Sequence, residues 1–207
     1  CGQQTERTPV WLMRQAGRYL SEYQAIRKNH AFLDVCRNPA LAAEITLQPY
    51  NAFAPDGVVM FSDIMFPLLD MNIPFTLDNG GPKVIDPIRS LKQVQTIEAL
   101  NSQCTHTTYV RQLLGILQQE LSGKDAPILG FCGGPFTLAT YLVEGQKSED
   151  LEIIKTLMGT EPDTLHALLK TLADNMATYC LAQAEAGAQV IQIFDTWAGM
   201  LSEVDYR

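Results

Sequence analysis

Two arginines stand four positions apart, Arg14 and Arg18, in the stretch Pro9-Val10-Trp11-Leu12-Met13-Arg14-Gln15-Ala16-Gly17-Arg18-Tyr19-Leu20, directly after an apolar run that reads as a strand. A guanidinium is permanently charged and planar, and its fork of donors matches a carboxylate or a phosphate. Two of them at the mouth of a buried strand suit an anionic ligand; a pair of surface arginines is the plainer alternative on spacing alone. The charge distribution favours the ligand. The chain carries a formal net charge of -8, yet residues 1–38 hold six Lys/Arg against three Asp/Glu, and residues 39–207 hold nine against twenty. Positive charge confined to one stretch of an acidic protein fits a pocket for a particular small anion better than a general basic surface. The acidic remainder argues against nucleic acid or an anionic membrane as partner.

Composition places the chain among soluble globular proteins, with 46% hydrophobic and 18% charged residues and no apolar run long enough to cross a bilayer. Its length suffices for a good core in one domain or two. Five cysteines, Cys1, Cys36, Cys104, Cys132 and Cys180, are widely spaced and form no CxxC pair. They read as free thiols in a reducing compartment, with neither a disulfide framework nor a thiolate metal site. His30, His106 and His166 each stand alone, so no metal site is expected of them. The opening Cys1-Gly2-Gln3-Gln4, without a methionine, suggests that the true start precedes it.

The elements that must position the arginines alternate along the chain. Residues 10–13 form a short apolar run. Asn38-Pro39 opens a helical pattern through Ala43, Ile45, Leu47 and Tyr50, with Pro39 in the first turn, where its missing N–H costs little. Residues 57–61 (GVVMF) are continuously apolar, as a strand buried on both faces requires. Residues 71–87, centred on Asp78-Asn79-Gly80-Gly81-Pro82, read as an excursion of short strands or loop. Helical pattern follows over 90–121, and 127–131 (PILGF) gives a third strand. Residues 135–143, 149–158 and 162–186 look helical; Gly187 stops the last, and 188–194 (AQVIQIF) supply a fourth strand.

Strands separated by helices imply βαβ units and a parallel sheet. After the first strand come Arg14 and Arg18, after the second Ser62-Asp63, after the third Cys132-Gly133-Gly134-Pro135, and after the fourth Asp195-Thr196. Polar or glycine-bearing segments thus gather at strand ends, which in a (β/α)8 barrel converge on the face that carries the active site. A doubly wound sheet makes a similar prediction, but no GxGxxG or P-loop pattern follows any strand. Asp63, at a strand end, has a plain alternative as a helix N-cap.

Two segments, PVWLMRQAGRYLSEY (residues 9–23) and GFCGGPFTLATYLVEG (residues 130–145), resemble the two motifs of the uroporphyrinogen decarboxylase family. Thr46-Leu47-Gln48-Pro49, Phe61-Ser62-Asp63-Ile64, and Gly187-Ala188 leading into Phe194-Asp195-Thr196-Trp197-Ala198-Gly199 resemble it in order as well, so the similarity extends from Pro9 onward. The resemblance implies a (β/α)8 TIM barrel that forms a homodimer. It also implies a cofactor-free lyase of the cytoplasm or plastid that removes carbon dioxide from the four acetates of uroporphyrinogen III. That substrate carries eight carboxylates. Arg14 and Arg18 match the motif arginines, and the loop of Gln15, Ala16 and Gly17 between them can offer backbone N–H groups, with Gly17 permitting close approach.

By the same resemblance Asp63 is the central aspartate facing the pyrrole nitrogens, Tyr141 and Thr196 offer hydroxyls to substrate carboxylates, and Arg14 is the leading candidate for ring-proton donor. A substrate carboxyl or a water is the other candidate donor. A packing role for the Tyr141 ring stays open, Asp195 is left outside the site, and Cys132 is expected to pack beside Gly133 and Gly134. Two further readings remain: a catalytically inactive tetrapyrrole-binding relative, and a corrinoid-dependent methyltransferase of the same barrel. The latter would need a His-x-Cys zinc pair that residues 195–198 lack. Only about four of eight barrel strands are expected in this chain, as one domain forming the N-terminal part of the barrel, and the family's functional histidine near the last strand has no counterpart here.

Overall fold

Helices α1 (Ser21–Asn29) and α2 (Phe32–Cys36) precede α3 (Pro39–Phe53) in the computed structural model, which describes residues 6–78 and 81–206. α3 begins as its sequence dictates: the Asn38 side chain accepts the Leu41 N–H at 3.2 Å, and Pro39 fills the first turn. Strand β1 (Val58–Val59) follows, then a 3-10 helix over Phe66–Met71 and the antiparallel pair β2 (Phe75–Asp78) and β3 (Gly81–Val84). The chain continues through α4 (Leu91–Val94), α5 (Thr105–Glu120), β4 (Ile128–Gly133), α6 (Pro135–Glu144), α7 (Glu152–Thr160), α8 (Pro162–Glu185), β5 (Val190–Phe194) and α9 (Glu203–Tyr206).

The three strands other than the hairpin form one sheet in the order β1-β4-β5. β1 and β4 are parallel, with Val58 opposite Ile128 and Val59 opposite Leu129. β5 runs the same way: Gln189 N–H reaches Ile128 C=O near the strand starts, and Gly134 N–H reaches Phe194 C=O near their ends. β4 is buried at every position, as a central parallel strand covered on both faces must be. Parallel strands alternating with helices make this part of a (β/α)8 architecture.

By packing, the residues fall into two compact units. The first holds residues up to 62, 109–130 and 183–191, with Val35, Ile45, Val58 and Leu114 fully buried. The second holds residues 63–108, 131–182 and those from 192 on, around Phe66, Leu68, Leu138 and Leu142. Each fully buried apolar side chain of this kind stabilises by about 1.5–3 kcal/mol relative to exposure. No helix among the described residues is long and apolar enough to cross a membrane.

Three expectations need correction. Residues 10–13 form no strand. Val10, Leu12 and Met13 are more than half exposed, and the Val10 amide bonds the Asp56 carboxylate at 2.7 Å instead of a neighbouring strand. The place beside β1 is taken by a side chain: the buried Gln15 amide donates to Gly57 C=O at 2.6 Å and accepts from Val59 N–H at 3.1 Å, as a strand backbone would. The helical stretch 90–121 is broken, because Asn175 accepts the Leu100 N–H and Asp70 caps a new start, leaving α4 and α5 separate. β1 is also shorter than residues 57–61, since the Phe61 N–H turns to the Thr46 hydroxyl of α3 at 2.9 Å. The excursion over 71–87 is the β2–β3 hairpin, with Asn79 and Gly80 outside the described residues, as are Cys1 to Gln4.

Candidate functional site

In the first unit the loop after residue 13 is tied down by its own polar groups. Besides the Gln15 bonds to β1, the Tyr19 hydroxyl donates to Gln15 C=O, Leu20 N–H to Gly17 C=O at 3.1 Å, and the Gln24 side chain to Arg18 C=O. The Tyr19 ring rests near Phe53, 6.2 Å between centroids. Out of this fixed loop Arg14 and Arg18 project into solvent, and neither guanidinium has a hydrogen-bond or ion-pair partner among the described residues. Other arginines are engaged: Arg7 forks onto Asp56, Arg37 pairs with Asp34, and Arg89 donates to Val143 C=O. A methyl added at Gly17 would meet only the Tyr19 ring at 3.4 Å, ordinary contact, so nothing inside the fold demands glycine there. Ala16 is half-buried beside it.

In the second unit Asp63 forms the turn that leads into the 3-10 helix. One carboxylate oxygen accepts Met65 N–H at 2.8 Å and its backbone C=O accepts Phe66 N–H; the other oxygen has no partner among the described residues. The helix N-cap role open for Asp63 from sequence is not the one it takes: the N-cap of the 3-10 helix is Met65, without a side-chain cap, and one Asp63 oxygen instead closes the short turn before it. The group keeps some surface open, but protein crowds it closely enough that loss of hydration pushes its pKa up, against the weaker pull of the Met65 amide.

Seven residues on, Asp70 has the opposite setting. It accepts the backbone N–H of His106 and Thr107 at 2.9 and 2.8 Å, the Thr107 hydroxyl at 3.0 Å, and the His106 ring at 2.8 Å. Burial works to raise its pKa, but these bonds, led by His106, outweigh burial and hold it below the usual carboxylate range. His106 is thereby a capping partner stacked edge-on against Phe66, 5.0 Å away. His30 and His166 are exposed.

Tyr141 sits on α6, half-buried, its ring edge-on to Trp197 at 6.4 Å and its hydroxyl without a partner among the described residues. Packing and an available hydroxyl thus coexist. Thr196 is exposed at the start of the 3-10 turn Thr196–Met200. Asp195, which sequence reasoning set aside, organises this corner. α6 begins on Gly134, which has no side chain to cap it, and Asp195 supplies the missing acceptor by taking Thr137 N–H at 2.8 Å. The Thr137 hydroxyl in return accepts Trp197 N–H at 3.0 Å. Gly134 is required for this: a Cβ there would lie 2.3 Å from the Asp195 carboxyl carbon. The signal was legible as a Gly-Gly-Pro helix start without a capping side chain, paired with an aspartate just past the next strand.

Structure thus groups Arg14, Gln15, Ala16, Gly17 and Arg18 in the first unit, and Asp63, Tyr141 and Thr196 in the second. Cys104, Cys132 and Cys180 are free thiols, while Cys1 lies outside the described residues. Among the described residues, no three His, Cys, Asp or Glu side chains gather into a group that could hold a metal ion.

Sequence comparison matches residues 1–207 to the model of the uroporphyrinogen decarboxylase (URO-D) family. The chain is 50% identical to the uroporphyrinogen decarboxylase of Gloeobacter violaceus over 202 residues, covering 97% of this chain and 58% of that protein. It is likewise 50% identical to that of Synechococcus sp. (strain JA-3-3Ab), covering 100% of this chain and 57% of the relative. The chain therefore spans rather more than half the length of these curated relatives. Among solved structures, a methyltransferase from Methanosarcina mazei superposes with a TM-score of 0.78 at 22% identity, covering 99% of this chain and 59% of that one, a likeness of fold.

Proposed function

The chain belongs to the uroporphyrinogen decarboxylase family, and we propose that the intact protein is itself a uroporphyrinogen decarboxylase. It would convert uroporphyrinogen III to coproporphyrinogen III by releasing the four acetate carboxyls as carbon dioxide, with no cofactor. This chain is then the N-terminal part of the barrel, a reading supported by its share of its relatives' length. The homodimer and the cytoplasm, or the plastid in a photosynthetic eukaryote, belong to the same reading, and free thiols suit such a reducing compartment.

The chemistry asks for a particular charge pattern. Direct loss of carbon dioxide from a pyrrole acetate leaves an unstabilised carbanion. Protonating the ring carbon first produces a cationic, iminium-like ring, which then receives the electrons of the breaking bond. The substrate is its own electron sink, so the protein has three tasks: hold many carboxylates, stabilise a transient cation and deliver a proton.

Asp63 carries the proposal. Its partnered oxygen fixes the carboxylate against the Met65 amide, and the other oxygen, without a partner among the described residues, would accept pyrrole N–H groups. An anion already in place as the ring becomes positive stabilises the transition state more than the ground state. Arg14 and Arg18, whose guanidiniums have no partner among the described residues, would take substrate carboxylates in charge-assisted, fork-on-fork bonds, and the Gln15-Ala16-Gly17 backbone would line their approach. Tyr141 and Thr196 would donate their hydroxyls to further carboxylates. Arg14 is also assigned the ring proton, although an arginine is a reluctant acid at neutral pH and a substrate carboxyl or a water can compete for that task.

Asp63→Asn in the intact protein tests the reading. Asparagine keeps an oxygen for the Met65 amide and removes the charge. The expected result is a fall of roughly 10²–10³ in kcat for coproporphyrinogen formation with thermal stability retained; unchanged turnover would refute the assignment.

A further inference from the structure

The sulfur atoms of Cys132 and Cys180 lie 3.3 Å apart within the second unit, although 48 positions separate them in the chain. Cys132 is buried in β4, directly before Gly133 and Gly134, and Cys180 is half-buried on α8. Packing beside the glycines, the expectation for Cys132, accounts for its burial but not for a second thiol aimed at it. We propose that these two thiols form a redox pair that closes to an intramolecular disulfide by exchange with a small-molecule disulfide, cross-linking the C-terminal end of β4 to α8.

Geometry leaves little to move: a disulfide bond is about 2.05 Å long, so the sulfurs need approach by only a little over 1 Å. The two sulfurs also divide the labour. Hydrogen bonding to Cys132 pushes the Cys180 pKa down against the effect of burial. The Cys132 pKa is pushed up, first by its bond to Cys180 and then by burial and by the negative charges of Cys180 and Asp195. The half-buried sulfur is thus the better thiolate and the one solvent can reach.

The exchange balances in two steps. Cys180 thiolate attacks one sulfur of the small disulfide; its S–S bond breaks, a mixed disulfide forms on Cys180, and the first small thiolate leaves and takes up a proton. Cys180 is then uncharged, which removes two of the influences that keep the proton on Cys132. Cys132 gives that proton to solvent and attacks the Cys180 sulfur; the mixed S–S bond breaks and the second small thiolate departs. Two protein thiols are oxidised and one small disulfide is reduced to two thiols.

The cross-link would act where the backbone has no slack. A Cβ at Gly133 would lie 2.6 Å from a Leu138 methyl, and Gly134 is pressed against Asp195. The disulfide would therefore pin the start of the strand-to-helix corner that carries Thr137 and Tyr141.

The test is a peptide map of the intact native protein after exposure to oxidised glutathione, with free thiols alkylated before digestion. A peptide joining Cys132 to Cys180, absent after dithiothreitol, is the expected result. Cys132→Ser should accumulate glutathione on Cys180, and Cys180→Ser should leave Cys132 unmodified. Recovery of both residues as alkylated free thiols from the oxidised wild-type protein would overturn the proposal, whether or not the variants fold.

Discussion

Asp63, in the turn before one short 3-10 helix, and Asp70, within its last turn, stand in opposite circumstances. Among the described residues, Asp70 receives four hydrogen bonds and starts α5, while Asp63 receives one on its side chain and keeps an oxygen open. Both lose hydration, yet the net shifts have opposite sign because only Asp70 is repaid in donors. The arginines divide the same way, Arg7 forked onto Asp56 while Arg14 and Arg18 have no partner among the described residues. A saturated charged group holds structure; one held in place but left half-satisfied is the kind a ligand completes.

The largest effect should come from the unsaturated carboxylate. Asp63→Ala is expected to lower kcat/KM for uroporphyrinogen by at least as much as Asp63→Asn, since it also removes the Met65 contact. Next, Arg14→Ala and Arg18→Ala should each cost about 1.5–3 kcal/mol of substrate binding, the usual worth of a hydrogen bond to a charged group. That would raise KM roughly ten- to a hundredfold, and steady-state kinetics on the intact protein measure it. Arg18→Ala should act on KM alone, and Arg14→Ala on kcat as well if it delivers the proton.

Asp70→Ala inverts the pattern. It removes the cap of α5 and should lower unfolding stability by about 0.5–2 kcal/mol, read by denaturant titration, with activity per folded molecule preserved. Asp195→Ala should destabilise by a similar amount through the lost α6 cap, with a modest rise in KM as Tyr141 loses its fixed base.

pH separates the two aspartates most delicately. A native carboxyl with a raised pKa binds its proton more readily than the unfolded chain does, so Asp63 lowers stability as pH rises through the acid range toward its native pKa. For Asp70, whose native pKa is depressed, the stability is present above the unfolded carboxylate pKa, about 3.9, and is lost as pH falls toward the native value. Asp63→Asn should therefore match or slightly exceed wild-type stability at neutral pH, and Asp70→Asn should flatten the acid loss. The acid limb of kcat/KM should lie above the ordinary carboxylate range and disappear in Asp63→Asn.

Much of this molecule is local, and local features are legible. Asn38-Pro39 starts α3, the apolar run 127–131 becomes β4, and Gly187, with φ of +106°, ends α8, because caps, buried strands and left-handed turns depend on a few adjacent residues. The polar or glycine-bearing segments past β1, β4 and β5 were readable too, Ser62-Asp63, Gly133-Gly134 and Asp195-Thr196, although the strand expected before Arg14 does not form. What depended on distant partners was not. An apolar run at 10–13 was no strand because the Gln15 amide occupies the place beside β1; a helical stretch at 90–121 broke because Asp70 and Asn175 reach in from elsewhere.

From sequence alone, then, came the strand–helix alternation, the family, and a short list of charged and hydroxyl-bearing residues, all of which follow from neighbours along the chain. Tertiary structure decided which of those groups are already satisfied. Many of their partners lie far along the chain, 36 positions for Asp70 and His106 and 61 for Gln189 and Ile128, and no local pattern encodes them.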